Sequence, residues 1–450
     1  MEYVIGILLL ISFFGLAIYC IKGHNLMIGF LVMSVLWTIL PLVGNWLVTN
    51  PEFIAANEGI KDITIISVLN TVFQSAPEAW GTTLVNILWG AWFGRVLMET
   101  GVAATIIRKT VELGGDRPII TVTLLNIVTT IIFSSMTGVG PVIAIGVIVL
   151  PIMMSLGVKK PIALFSFMGS IAAGTYINPV IFTQYRAYFL EPSQMIEFNL
   201  SWYTKQWGIY ACIVMLIVTT IVTGIAMTVK KPGHSWAAQT PKQTDNNAPF
   251  PALITPLIPV LGAILLNLSV ILGFIIGGFY AMLLCGRLKG GFKKVCQLVN
   301  KLYYDGVVDT APLVGFVLTL PMFNKVATYC APYFRAVVGN VIPQSTLLIC
   351  IIFAIIACFG LFRGPMTLVG CGAATLGVVR SLGFSVPFLY ACFAIPTITM
   401  NNGSCITQSW IAWGLSYSKV ESKDFLKLSI PNGYIISIIM YTITYFVFGR

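Results

Sequence analysis

Charge is scarce in this sequence. Of 450 residues only 9% are charged, against 57% apolar, where a soluble globular domain carries about 25% charge. Mean hydropathy is +0.91. A water-soluble fold is excluded. Histidine is nearly missing, with only His24 and His234, which argues against a zinc or haem site. The ten cysteines form no C-x-x-C pair, and most (Cys212, Cys285, Cys350, Cys358, Cys371, Cys392, Cys405) lie in apolar runs. They read as free apolar thiols, not as a disulfide scaffold. No G-x-x-x-x-G-K-[ST] string occurs, so an ATP-driven pump is disfavoured. Paired intramembrane carboxylates, a buried histidine and a nucleophile–base pair are also lacking. That argues against a membrane-embedded enzyme, and no cofactor is expected.

What the sequence has is long uncharged runs. A helix needs about 20 apolar residues to cross roughly 30 Å of hydrocarbon. Runs free of Asp, Glu, Lys and Arg cover 3–21, 23–51, 118–158, 161–185, 206–229, 246–286, 336–362, 381–418 and 428–449. Two further spans tolerate charge: about 81–107, with Arg95 and Glu99, and about 306–330, with Asp309 and Lys325. The fold class is therefore an all-α polytopic membrane protein with about ten spans. The run Tyr3–Ile21 has no Lys or Arg before it and no small-residue cleavage site, so it reads as a retained span.

The net charge of +11 reads as membrane orientation, not nucleic-acid binding. Lys and Arg collect in cytoplasmic loops. Seventeen fall on one side if the loops around Lys22, Arg108–Arg117, Lys159–Lys160, Lys230–Lys242, Arg287–Lys301 and Lys419–Lys427 are inside. Six remain outside: Lys61, Arg186, Lys205, Arg335, Arg380 and Arg450. Both termini are then outside, the linker 230–251 is cytoplasmic, and the chain is placed in the cytoplasmic (inner) membrane. This topology forces the run 118–158 to enter and return on the same side. Its middle reads Ser134-Ser135-Met136-Thr137-Gly138-Val139-Gly140-Pro141. Each arm is about 16 residues, roughly 24 Å of helix, which fits a re-entrant hairpin; two ordinary spans joined by a tight turn are the alternative. The run 336–379 behaves alike from the outer side, with the tip Gly360-Leu361-Phe362-Arg363-Gly364-Pro365.

Two strings recur at a nearly constant shift. Ser155-Leu156-Gly157-Val158-Lys159-Lys160-Pro161 matches Ser381-Leu382-Gly383-Phe384-Ser385-Val386-Pro387, and Asn178 to Thr183-Gln184 matches Asn402 to Thr407-Gln408. The chain thus divides into a first inverted repeat, 1–229, with a re-entrant hairpin 118–156 and a broken helix 161–186, and a second, 252–450, with a hairpin 344–382 and a broken helix 387–412. The stretches 63–78 and 287–303 are candidate interfacial helices, outside and inside respectively. Inverted repeats with interrupted hydrophobic segments at matching positions are a mark of secondary transporters. The breaks, Gly174-Thr175-Tyr176-Ile177-Asn178-Pro179 and Thr399-Met400-Asn401-Asn402-Gly403-Ser404, free backbone groups that bare lipid does not tolerate. They should line an enclosed wet site, offering N–H groups to an anion and carbonyls to a cation.

Arg363 is the sharpest single residue. A charge at mid-membrane costs at least about 2.5–3.5 kcal/mol on insertion scales, and no acidic residue stands near it in sequence. Its planar fork matches a carboxylate; the alternative is an arginine that caps carbonyls at the tip or reaches the outer water. Arg95 and Glu99, four apart on one helical face, read as an internal salt bridge, with a coupling proton on Glu99 as the other option. The substrate-binding candidates are Ser134, Ser135, Thr137, Gly138, Thr175, Asn178, Arg363, Gly364, Asn401, Asn402 and Ser404. The coupling-ion candidates are Ser135, Asn178, Asn402 and Glu99.

The hairpin and broken-helix unit, present twice, resembles the ion transporter superfamily, with gluconate permeases, citrate symporters and C4-dicarboxylate uptake carriers the nearest in pattern. The resemblance covers most of the chain, including Thr255-Pro256-Leu257-Ile258-Pro259 at the start of the second half. It implies an elevator-type secondary carrier of a small organic anion, a sugar acid or a di- or tricarboxylate, driven by H⁺ or Na⁺ and working as a homodimer in the lipid bilayer. In the divalent-anion branch a Ser-Asn-Thr tip binds Na⁺ and substrate carboxylate; here Ser134, Ser135 and Thr137 stand at that tip, without the Asn. The second tip carries Arg363 where a Ser or Thr would stand. The same superfamily includes Na⁺/H⁺ antiporters, a rival reading that would use Glu99 as proton carrier.

Overall fold

Helix boundaries follow the breakers that the sequence supplies. The computed structural model describes residues 1–22, 24–57, 59–115, 117–189, 198–229, 247–339, 342–380 and 382–450. Residues 230–246 of the expected linker, His234 among them, and Ser381 of the repeated string lie outside the described residues. Among the described residues all regular structure is helical. The principal helices are α1 (Glu2–Ile21), α2 (Leu26–Leu47), α3 (Gly81–Glu99), α4 (Val102–Gly114), α5 (Pro118–Phe133), α6 (Val139–Ser155), α7 (Lys160–Thr175), α8 (Pro179–Arg186), α9 (Ile209–Val229), α10 (Val270–Leu284), α11 (Phe292–Val338), α12 (Thr346–Ile355), α13 (Gly372–Arg380), α14 (Val386–Pro396), α15 (Ser409–Ser418) and α16 (Ser422–Phe448).

The repeated Ser-Leu-Gly…Pro string marks a stop followed by a start. Gly157 and Gly383 both take left-handed φ, +83° and +84°, the backbone that ends a helix and that glycine adopts without strain. Pro161 and Pro387 then stand in the first turns of α7 and α14, where a missing N–H costs nothing.

Among the described residues four helical segments are long and apolar enough to cross a membrane, or five if the bent pair α7–α8 is one span. Others, such as α5, α6 and α10, are apolar but only 15 to 17 residues long. α11 departs from expectation. The stretches 287–303 and 306–330, read as separate elements, join from Phe292 in one helix of 47 residues. It packs on α1, α2 and α3, with Tyr333 donating to Asn45 Oδ1 at 2.6 Å and Phe323 stacked on Phe30.

A second group surrounds α7, which packs on α5, α9 and α16. α5 runs alongside α7 in the same sense, since Ser166 Oγ donates to Asn126 Oδ1 and Thr130 Oγ1 to the Ser170 carbonyl. α7 runs against α9, because Gly169 abuts Thr219 while the Tyr176 carbonyl accepts from Tyr203 OH. α9 in turn runs against α16, through Asn432 to Thr219 and Trp207 to Thr444. Finally, α12 starts where α16 ends, Thr346 Oγ1 donating to the Gly449 carbonyl, and Tyr434 OH reaches the Ile355 carbonyl. α5 therefore runs against α9 and α12 runs with it, so α5 and α12 point in opposite directions.

Candidate functional site

At the first tip the chain leaves α5 at Phe133 and starts α6 at Val139. Gly138, at φ +100°, makes the turn that a side chain would strain. Ser134 and Ser135 are fully buried, and their hydroxyls donate back to the Ile131 and Ile132 carbonyls, closing the end of α5. Thr175 does the same at the end of α7, donating to the Ile171 carbonyl. Thr137 stands half-buried on the tip.

The first break is closed by one residue. Between α7 and α8 the helix axis bends by 65°. Asn178 Oδ1 accepts from the N–H groups of Val180 and Ile181, capping α8. Its Nδ2 donates to the carbonyls of Phe133 and Met136, each at 3.0 Å. One amide thus caps the second arm and laces it to the hairpin tip. Gly174 allows the close approach: a Cβ there would meet the Thr130 carbonyl oxygen at 2.5 Å.

The second tip is built differently. α12 ends in a tight turn, Ala357–Arg363, in which Phe362 and Arg363 both have left-handed φ, +54° and +56°. Such conformations cost about 1 kcal/mol or more each and persist only when the surroundings hold them. Here Phe362 N donates to Cys405 Sγ, Leu368 N to Thr397 Oγ1, and Cys371 N to the Arg363 carbonyl. Gly364 follows in extended backbone. The guanidinium of Arg363 donates to the Val369 carbonyl at 3.1 Å and to Gln408 Oε1 at 3.2 Å.

Gln408 links the tip to the second break. There α14 continues as a wide π-type turn, Thr397–Asn402, before the chain unwinds and α15 begins at Ser409. Gln408 Nε2 donates to Asn402 Oδ1 at 3.1 Å, and Asn401 Nδ2 to the same oxygen at 3.3 Å. Asn402 Nδ2 reaches across to Tyr185 OH on α8, at 3.0 Å. Ser404 Oγ donates to the Thr399 and Ser429 carbonyls. Asn401 Oδ1 is buried with no partner among the described residues. No side chain caps α15, whose N-cap is Gln408 itself.

The predicted site residues therefore fall into two clusters. One holds Ser134, Ser135, Thr137, Gly138, Thr175 and Asn178; the other holds Arg363, Gly364, Asn401, Asn402 and Ser404. The breaks themselves touch: a Cβ on Gly403 would meet the Ala172 side chain at 3.3 Å, and the Tyr185–Asn402 bond crosses between the halves. Tyr185 and Gln408 were not among the sequence candidates. Gln408 had a signal, since it closes the repeated Asn…Thr-Gln string; Tyr185 had none, because its partner lies 217 residues away.

The carboxylate reading is corrected. Arg95 does not bridge to Glu99. It grips Asp309 with two bonds, Nε to Oδ2 at 2.6 Å and a terminal nitrogen to Oδ1 at 2.5 Å. Glu99 instead lies 4.0 Å from Arg287, which also donates to the Glu99 backbone carbonyl, so it belongs to neither cluster. Two cavities, of about 450 and 420 Å³, are lined by Glu2, Asn50 and Arg335, and by Asn45 and Lys61, respectively; the tips line neither.

Neither a protein-family model nor a curated protein matches the sequence. The fold is shared with a transporter. The crystal structure of the YdaH transporter of Alcanivorax borkumensis, described as having an unusual topology, superposes with a TM-score of 0.63 at 13% identity. The match covers 94% of this chain and 98% of that one. The regular structure of the described residues is all helical, and the chain shares the fold of that membrane transporter.

Proposed function

We propose that the chain is a secondary carrier of a small organic anion, a carboxylate, in the manner of the ion transporter superfamily. In this reading the halves 1–229 and 252–450 are inverted repeats, and the hairpins and broken helices form the moving unit. α1, α2, α3 and α11 belong to the scaffold, and alternating access is coupled to H⁺ or Na⁺ in the cytoplasmic membrane, in a homodimer.

One observation carries this reading: the chain of contacts Arg363–Gln408–Asn402–Tyr185 that joins the second tip to both breaks. It puts a guanidinium beside the uncapped N-terminus of α15. A carboxylate there would gain a planar two-donor partner and free N–H groups at a positive helix end. The Val369 carbonyl and the Gln408 amide oxygen that accept from Arg363 are neutral, so a carboxylate is the stronger acceptor for those two donors and would displace them. Asn401 Oδ1 would accept from a substrate hydroxyl or coordinate a coupling cation. At the first tip Asn178 is taken up by the α8 cap and by the Phe133 and Met136 carbonyls, so it positions the tip, with Ser135 behind it and Thr137 at its surface.

The test is uptake by proteoliposomes against a panel of labelled sugar acids and di- and tricarboxylates, with pH and Na⁺ gradients imposed separately. Gradient-driven accumulation of one class is expected. Cation flux with no organic substrate would replace this reading with Na⁺/H⁺ exchange.

A further inference from the structure

The Arg95–Asp309 pair lies outside both breaks, yet hairpin 1 rests on it. A Cβ added to Gly140 would lie 2.6 Å from Asp309 Cγ. On the other side of the pair, a Cβ on Gly94 would lie 3.4 Å from Pro141 Cγ and 3.7 Å from Met136 Cε. The first turn of α6 and the tip residue Met136 are thus pressed against the surface where α3 crosses α11. Gly306 permits that crossing: a Cβ there would come within 3.0 Å of the Ala91 backbone. The side chains of Arg95 and Asp309 are 30% and 14% exposed.

The chemistry of this contact is lopsided. The ion pair is made by α3 and α11 alone, with both charges satisfied by a bidentate geometry. The hairpin meets Asp309 with Gly140, and meets the adjoining surface of α3 at Gly94 with Pro141 and Met136. A lone carboxylate under an apolar hairpin would carry a desolvation penalty, whereas a pre-paired one presents a neutral face. The hairpin can then separate from it without stranding a charge, and only dispersion contacts break.

We propose that the Arg95–Asp309 pair is the seat of hairpin 1. It is a positioning device that holds the Ser134–Gly138 tip in the conformation seen here and releases it when access alternates. Gly140 is the residue that lets the tip sit down. This rests on the carrier reading above.

Two measurements on the full-length chain test it. First, Gly94→Cys with Pro141→Cys should cross-link on mild oxidation in membranes, and neither single variant should. The cross-linked protein should lose gradient-driven uptake of the labelled carboxylate panel and regain it on reduction. Failure to cross-link, or undiminished uptake while cross-linked, overturns the seat. Second, Gly140→Ala should unseat the tip. A cysteine placed at Thr137 would then react with a membrane-impermeant maleimide about tenfold faster than in the Gly140 parent, and an unchanged rate overturns the proposal. The labelling needs no substrate, so a panel that shows no uptake at all would defeat the carrier reading while the seat is judged on its own.

Discussion

At the first break Asn178 turns its amide inward, capping α8 with its oxygen and tying the hairpin tip with its nitrogen. At the second, the matching Asn402 caps nothing; it is held by Gln408 and Asn401 and spans to Tyr185 in the other half. The same string, Asn…Thr-Gln, is used once to close a break and once to leave it open. α8 therefore begins with its first N–H groups satisfied, and α15 begins with no side-chain cap. On the carrier reading proposed above, the difference would give the halves different duties, a rigid joint at the first break and donors at the second. Arg363, Gln408 and the start of α15 lie together at the open break.

The largest expected effect is at Arg363. Arg363→Ala should reduce uptake by about 100-fold or more, since two charge-assisted bonds of roughly 1.5–3 kcal/mol each would be lost. Stability should fall as well, since the buried Val369 carbonyl and Gln408 Oε1 each lose a donor at roughly 1–3 kcal/mol, so uptake is compared per amount of folded protein. Arg363→Lys should recover little, because a point charge does not reproduce the fork. Normal uptake by Arg363→Ala would erase the contrast between the halves. Next comes Gln408→Leu, which removes the link between guanidinium and Asn402. Because the carboxylate must displace Gln408 from Arg363, loss of that competing bond should lower KM by about 10-fold. A change in melting temperature with unchanged KM would make Gln408 a brace and nothing more.

Asn178→Ala should invert that pattern. It removes a helix cap, worth about 1 kcal/mol, and leaves the buried Phe133 and Met136 carbonyls without a donor, at roughly 1–3 kcal/mol each. Thermal denaturation should show the loss plainly, while the KM of the surviving protein moves by less than about threefold. If instead KM rises steeply and stability holds, the first break also binds substrate, and the proposed division of labour fails.

The all-helical character, the turns at the two tips and the breaks were legible because they are local, whereas the count of about ten spans is not matched by the four or five helical segments of spanning length among the described residues. Uncharged length, the Ser-Leu-Gly…Pro stop–start string and Gly/Pro interruptions act within one or two turns. The pairings were not legible, because they are tertiary. Arg95 has Glu99 one turn away, and helical spacing favours that pair. The Asp309 carboxylate, 214 residues distant, wins because it accepts both arms of the guanidinium at once. The length of α11 was also hidden: the basic stretch 287–303 reads as a separate surface helix, yet the helix runs from Phe292 to Val338 through Gly306, Pro312, Pro321 and Pro332, residues that ordinarily mark a break. Tyr185 shows the limit most clearly, since an aromatic on a short helix carries no mark of the amide that it meets across the molecule.

The smallest effect tests whether the two breaks move together. Gly403 has an ordinary right-handed backbone, so alanine is conformationally acceptable there. Its Cβ would lie 3.3 Å from both the Ala172 and Met215 side chains, a slight overpacking of about 1 kcal/mol. If the breaks travel as one body, cemented by the Tyr185–Asn402 bond, the added methyl meets the same neighbours throughout the cycle. Uptake by Gly403→Ala should then stay within about twofold of wild type, with a melting point a few degrees lower. If the open break slides past the closed one, the methyl must pass Ala172 on each turnover, and the maximal rate should fall well beyond what the stability change accounts for.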